Sequence, residues 1–107
     1  MFPIEEFKKL RTPFYYYDTD LLRQTLKEIR ANIDPCMHVH YAVKACANPK
    51  VLAIIAAEGF GADCVSGGEI QAALNAGFPA DRIVYAGVGK SDWEIELGLD
   101  AGIFSFN

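Results

Sequence analysis

Residues 38–49 read HVHYAVKACANP, in which a short apolar-to-neutral run leads directly into a helix start. The apolar part predicts a strand over His38–Lys44, because β-branched and aromatic side chains favour the extended state. Asn48 can cap a helix, and Pro49 suits its first position because proline lacks the N–H that would have no partner there. We therefore expect a helix over Lys50–Glu58, closed by Gly59.

The same unit of strand, short loop and helix recurs along the chain. The expected strands are Pro13–Tyr17, Ala62–Val65, Arg82–Ala86 and Ile103–Phe106. The expected helices run from Asp18 or Thr19 to about Ile33, over Ile70–Ala76, and from Ser91 to about Gly102. Strands that alternate with short helices indicate crossovers in a parallel sheet. We expect an α/β fold that is an incomplete part of a larger barrel or doubly wound domain, because four strands cannot cover both faces.

Two stretches of the sequence could be taken for anion-binding motifs, but each has a simpler explanation. Ser66-Gly67-Gly68-Glu69 is read as a capping box, as is Ser91 with Glu94, although a helix start also favours anions. Residues 87–91 read GVGKS, but a phosphate-binding loop would need glycine at position 84, where valine stands. Nucleotide hydrolysis is therefore not expected.

Composition restricts the classes of partner. The chain has 107 residues, 51% of them hydrophobic, and a formal charge of −4. This charge argues against nucleic acid or an anionic membrane as partner, and no apolar run approaches the roughly 20 residues that span a bilayer. We also expect no leader segment. Three cysteines, Cys36, Cys46 and Cys64, have no metal-site spacing, and a reduced, cytoplasmic setting fits them best.

Lys44 is the candidate catalytic residue. It ends the first expected strand, and the carboxyl ends of parallel strands are where α/β folds place their ligands. Partial burial would favour the neutral amine, which is the nucleophilic form, so Lys44 could form a Schiff base. The alternative is a strand-end lysine that reaches solvent. On the expected strand, His40, Ala42 and Lys44 share the face turned away from the covering helices.

Two further groups of polar residues have open interpretations. Asp63, early in the next strand, could steer a neighbouring amine or hold a protonated imine, or it could simply be exposed. His38 and His40 could ligate a metal, but no third ligand stands at a suitable spacing, so packing or edge histidines are the simpler reading. No metal site is expected.

Together these motifs resemble one family. The sequences YAVKA (41–45), GADCVSGGEI (61–70), AGF (76–78) and IVYAG (83–87) are similar to the first strands and helices of fold-type III pyridoxal-phosphate decarboxylases. The resemblance implies a (β/α)8 TIM-type barrel followed by a β domain, with residues 1–35 as a lead-in strand and helix and 36–107 as the first four barrel strands. It also implies that Lys44 forms the imine with pyridoxal 5'-phosphate and that Ala42 and Asp63 line the cofactor site.

The resemblance further implies decarboxylation of an amino acid by a homodimer with shared active sites. Alternatives within the class are ornithine, arginine or carboxynorspermidine decarboxylation and alanine racemisation, and a non-catalytic cofactor-binding barrel is a further one. The family usually has asparagine two residues after the lysine, where this chain has Cys46. The family's remaining cofactor and substrate residues come later than residue 107, so the isolated chain is expected to be inactive.

Overall fold

The computed structural model describes residues 2–107 and contains a four-stranded parallel sheet. The strands lie side by side in chain order: β1 His40–Ala42, β2 Gly61–Cys64, β3 Ile83–Tyr85 and β4 Ser105–Phe106. Consecutive parallel strands joined by helices are the way in which a βα barrel begins. The predicted α/β fold with a parallel sheet is therefore confirmed.

The described residues form five α-helices and two 3₁₀ turns. The helices are α1 Ile4–Phe7, α2 Thr19–Asn32, α3 Pro49–Ala57, α4 Gly67–Ala76 and α5 Asp92–Ala101, and the turns are Val43–Ala45 and Ala80–Arg82. The predicted caps are present, since Leu21 N–H donates to the Asp18 carboxylate at 2.9 Å and Lys50 N–H donates to the Asn48 side chain at 3.0 Å. Within residues 2–107, no helix is long and apolar enough to cross a membrane.

One face of the sheet packs against the helices and forms the core. Ala62 and Cys64 of β2, with Ile83 and Tyr85 of β3, are fully buried there. The helices contribute apolar side chains to the same core, among them Leu26, Leu52, Ile55, Ile70 and Ala73. Burial raises the pKa of the Cys64 thiol to about 12, so this cysteine is a neutral packing residue.

The predicted strand over Pro13–Tyr17 is wrong. Residues 14–18 have no regular secondary structure, and the short helix α1 lies before them. A strand needs a hydrogen-bonded neighbour, and no other segment of residues 2–107 supplies one. The aromatic side chains instead contact one another, with the Phe7 and Tyr16 rings 4.9 Å apart and Tyr15 remaining 90% exposed.

Three of the four sheet strands are shorter than predicted, and β2 has the predicted length but begins one residue earlier. The first was expected over His38–Lys44 but ends at Ala42, because the chain turns into the Val43–Ala45 3₁₀ turn. Residues that the sequence assigned to strand ends thus lie in turns at the edge of the sheet. This difference changes the position of Lys44.

In one of the two predicted capping boxes, the glutamate accepts a hydrogen bond from a different backbone N–H. The box of Ser91 and Glu94 is present. Ser66 Oγ accepts from Glu69 N–H at 3.2 Å, but the Glu69 carboxylate accepts from Val65 N–H at 2.8 Å instead of from Ser66. Gly67 N–H, at the start of α4, donates to Glu94 Oε1 at 2.8 Å, so a carboxylate from α5 completes this helix start.

Candidate active site

Lys44 lies in the turn that follows β1, at the carboxyl edge of the sheet. The turn is closed by Cys46 N–H, which donates to Val43 O at 3.2 Å, and the Val43 side chain is fully buried. Lys44 itself is exposed. The expectation of a partly buried strand lysine is therefore wrong for these residues, because Val43 takes the buried position and the turn directs the next side chain outward. The position beyond the carboxyl end of β1 agrees with the prediction.

The Lys44 ammonium has no ionic partner among the described residues. The ion pairs within residues 2–107 join Lys8 to Glu5 and Lys9 to Glu6, far along the chain from this turn. Its exposure leaves the Lys44 side chain accessible to a ligand that approaches the carboxyl edge of the sheet.

The second face of the sheet is open and carries the other predicted site residues. Ala42 pairs with Asp63, Asp63 with Val84, and Val84 with Ser105, so these four residues form one row across the strands. Because side chains alternate along a strand and the neighbouring Ala62 and Cys64 face the helices, this row faces away from them. The open face borders a cavity of about 410 Å³ that His40 and Asp63 help to line. His40 and Ala42 therefore lie on the face turned away from the helices, as predicted.

Asp63 carries an unsatisfied carboxylate oxygen on this open face. It is the third residue of β2 and only partly exposed, so the alternative of an exposed residue at a strand start is wrong. Its Oδ1 is buried and has no hydrogen-bond partner within residues 2–107. A buried carboxylate oxygen without a donor is costly, and in native proteins such atoms are nearly always paired. This atom therefore fits a ligand that brings a donor or a positive charge to the face.

Lys90, which belongs to the GVGKS stretch at residues 87–91, joins the ends of two strands. Its ammonium donates to Gly87 O and to Asn107 O, the second at 2.6 Å, and lies 5.0 Å from the centre of the Tyr85 ring. These bonds link the loop after β3 to the end of β4. No local sequence signal predicts this role, because the two acceptors are backbone carbonyls that only the fold brings together.

The two histidines occupy different environments. His40 is partly buried on the open face, and His38 is exposed before β1. Within residues 2–107, no three histidine, cysteine or acidic side chains cluster as metal ligands would. His40 therefore contributes to the lining of the open face.

Comparison with known proteins gives a consistent result. Residues 19–107 match the family described as pyridoxal-dependent decarboxylase, pyridoxal binding domain. Diaminopimelate decarboxylase of Bacteroides thetaiotaomicron is 65% identical over 109 residues, which cover 100% of this chain and 28% of the relative. The crystal structure of diaminopimelate decarboxylase from Helicobacter pylori complexed with L-lysine matches with a TM-score of 0.89 and 43% identity, covering 97% of this chain and 27% of that one.

A decarboxylase named for other amino acids is less similar. The crystal structure of lysine/ornithine decarboxylase from Vibrio vulnificus complexed with putrescine matches with a TM-score of 0.72 and 30% identity, covering 81% of this chain and 24% of that one. This chain therefore spans about a quarter of the length of the relatives that it matches.

These matches confirm two predictions that the motifs supported. The fold is that of the first part of a fold-type III barrel, and the cofactor of the family is a pyridoxal compound. Both follow from a match that begins at the first residue of α2 and reaches the end of β4. The chain belongs to the pyridoxal-dependent decarboxylases, and residues 19–107 match their pyridoxal-binding domain.

Proposed function

We propose that this chain is the N-terminal, lysine-bearing part of a pyridoxal-phosphate-dependent carboxy-lyase that converts meso-2,6-diaminopimelate to L-lysine. The observation that carries the proposal is the 65% identity, across the whole chain, to a diaminopimelate decarboxylase. The match to a structure of such an enzyme with bound L-lysine supports the same product. The matched region includes the turn of Lys44 and the strand of Asp63.

The residues of this chain fit the cofactor at two points. Lys44 Nζ, exposed and without an ionic partner among the described residues, would hold pyridoxal phosphate covalently and be displaced by the amine of the substrate. Asp63 Oδ1, buried without a donor, would accept a hydrogen bond or hold a positive charge on the cofactor side of the sheet. Ala42, level with Asp63 on the same face, leaves room because its side chain is a single methyl group. When bound, pyridoxal phosphate supplies an electron sink for the carbanion left by the loss of carbon dioxide.

Reductive labelling tests the role of Lys44. The full-length protein is incubated with pyridoxal phosphate, treated with borohydride and digested, and its peptides are mapped by mass spectrometry. We expect the label on Lys44 and its loss in Lys44→Ala, whereas Lys50→Ala, six residues further along in α3, keeps it. A label on another lysine in the unsubstituted protein would refute the assignment.

Product analysis tests the substrate. We expect release of carbon dioxide from meso-2,6-diaminopimelate, with L-lysine as the product, and much slower release from ornithine or arginine. A preference for ornithine or arginine would place the protein with other decarboxylases of the family. Cofactor binding without carbon dioxide release from any amino acid would indicate a non-catalytic barrel.

The remaining expectations concern the organisation of the whole protein. We propose a homodimer in the cytoplasm, with residues 1–35 as a lead-in and 36–107 as the beginning of the barrel. The dimer is tested by sedimentation of the full-length protein at several concentrations. A monomer at every concentration would contradict it.

A further inference from the structure

The turn that carries Lys44 is held at its far end by a tyrosine of β1. Tyr41 O–H donates to the Cys46 carbonyl at 3.2 Å, while Cys46 N–H donates to Val43 O at 3.2 Å. Lys44 lies between these two anchored residues. Since Val43 is fully buried and Cys46 packs against the core, the backbone on both sides of Lys44 has a defined position.

A second tyrosine reaches the same residue from the segment that precedes α2. Cys46 S–H donates to the Tyr17 hydroxyl oxygen at 3.6 Å, a contact between residues 29 apart in sequence. Tyr17 is followed directly by Asp18, the cap of α2, which anchors the segment at one end.

We propose that Tyr17 and Tyr41 are positioning residues for Lys44 and that both act through Cys46. The Lys44 side chain is exposed, so the direction of its amine depends on the backbone of the turn. Both hydroxyls contact the residue that ends this turn, one at its carbonyl and one at its sulfur. The inference rests on the proposed covalent role of Lys44.

A purely packing role for the two tyrosines makes a different prediction. Packing depends on the ring and would survive Tyr→Phe, which removes only the hydroxyl oxygen. Positioning through hydrogen bonds would be lost in Tyr→Phe, because the hydroxyl that makes the bond is removed. A hydrogen bond of this kind has a net effect of about three- to tenfold on an equilibrium or a rate. Tyr15 is a matched control, since its ring stacks on Tyr17 with centres 6.4 Å apart but is itself 90% exposed.

The experiment compares the full-length holoenzyme with Tyr17→Phe, Tyr41→Phe, Tyr15→Phe, Cys46→Ser and Cys46→Ala. The first measurement is the visible circular dichroism per bound cofactor, which reports how the cofactor is oriented in the protein. The second is kcat and KM with meso-2,6-diaminopimelate. The third is borohydride labelling of Lys44 in the unsubstituted protein, and the fourth is the melting temperature.

We expect Tyr17→Phe, Tyr41→Phe and Cys46→Ala to change the visible dichroism and lower kcat about three- to tenfold, with KM within about twofold. Tyr15→Phe should match the parent, and Cys46→Ser, which keeps a donor, should lie nearer the parent than Cys46→Ala. Unchanged dichroism and kcat in both Tyr17→Phe and Tyr41→Phe, with Lys44 labelled in the parent, would overturn this inference alone, even if the melting temperature fell. An unlabelled Lys44 in the parent would overturn the proposed function and this inference with it.

Discussion

Two adjacent glycines at the start of α4 should respond to alanine in opposite directions. A Cβ added at Gly67 would lie 2.6 Å from Cη2 of Trp93 and 2.9 Å from Cγ of Glu94. A Cβ added at Gly68 would find only Ser66 Oγ, at 3.8 Å. The two positions share one helix and one turn of backbone, so they differ mainly in the space above them.

Whether Gly67→Ala stabilises or destabilises the protein depends on whether the neighbouring side chains can move. The Trp93 ring is 59% exposed and could swing aside, but Glu94 is held by three donors: Gly67 N–H, Ser91 N–H and Ser91 O–H. Moving Glu94 would break the bond that completes the start of α4. Overpacking of this kind costs about 1–3 kcal/mol. Alanine in place of glycine gains at most about 0.5–1 kcal/mol of helix stability.

We therefore expect Gly67→Ala to lower the free energy of unfolding by roughly 0.5–2 kcal/mol. Gly68→Ala should raise it by up to about 1 kcal/mol, because only the helix gain applies there. Urea unfolding of the full-length protein, followed by far-ultraviolet circular dichroism, measures both changes. If Gly67→Ala proved as stable as Gly68→Ala, the close approach of α4 to α5 would be incorrect.

Three further predictions concern charged side chains. The donors to Glu94, Gly67 N–H first, lower its pKa from 4.5 to about 2, so its stabilising contribution is complete above 4.5 and is lost as the pH falls through about 2. The melting temperatures of Glu94→Gln and the parent should therefore differ at neutral pH and converge toward pH 2, and a constant difference would contradict this. Asp63→Asn should leave the apoprotein at least as stable and weaken pyridoxal phosphate binding by roughly tenfold or more in an absorbance titration; unchanged binding would exclude Asp63 from the cofactor site. Lys90→Met removes two bonds to carbonyls and should lower the free energy of unfolding by about 1–2 kcal/mol while Lys44 still takes up the borohydride label; a lost label would show that Lys90 also serves the site.

Local patterns predicted the parts of this fold that depend on local interactions. The caps at Asp18 and Asn48 were correct because a capping side chain and its N–H partner lie two or three residues apart. The helix ends expected at Gly59 and near Gly102 were correct for the same reason, since these glycines adopt the positive φ angles, 83° and 69°, that commonly follow a helix. The parallel arrangement of the strands followed from the helices that connect them.

The errors occurred where distant residues compete with local ones. The aromatic segment at 13–17 has the composition of a strand but no partner strand within the described residues, and strand preference depends strongly on such a partner. The box at Ser66 differs because the Glu69 carboxylate accepts from Val65 N–H, and the local pattern gave no sign that Glu94, 27 residues beyond Gly67, accepts an N–H at the same helix start. The exposure of Lys44 depends on where β1 ends, which the neighbouring strands and the burial of Val43 determine.

Two buried polar atoms without hydrogen-bond partners lie on opposite faces of the sheet. Asp63 Oδ1 and the Tyr85 hydroxyl are both buried and unpaired within residues 2–107. The Tyr85 hydroxyl lies on the helix side, in packed structure beside the Glu94 carboxylate, and burial and then this carboxylate raise its pKa. Asp63 instead borders the open cavity, where a ligand can reach it. Tyr85 therefore has a carboxylate beside its hydroxyl, whereas Asp63 Oδ1 has no donor and can be reached from the cavity, which is why Asp63 is the stronger candidate for contact with the cofactor.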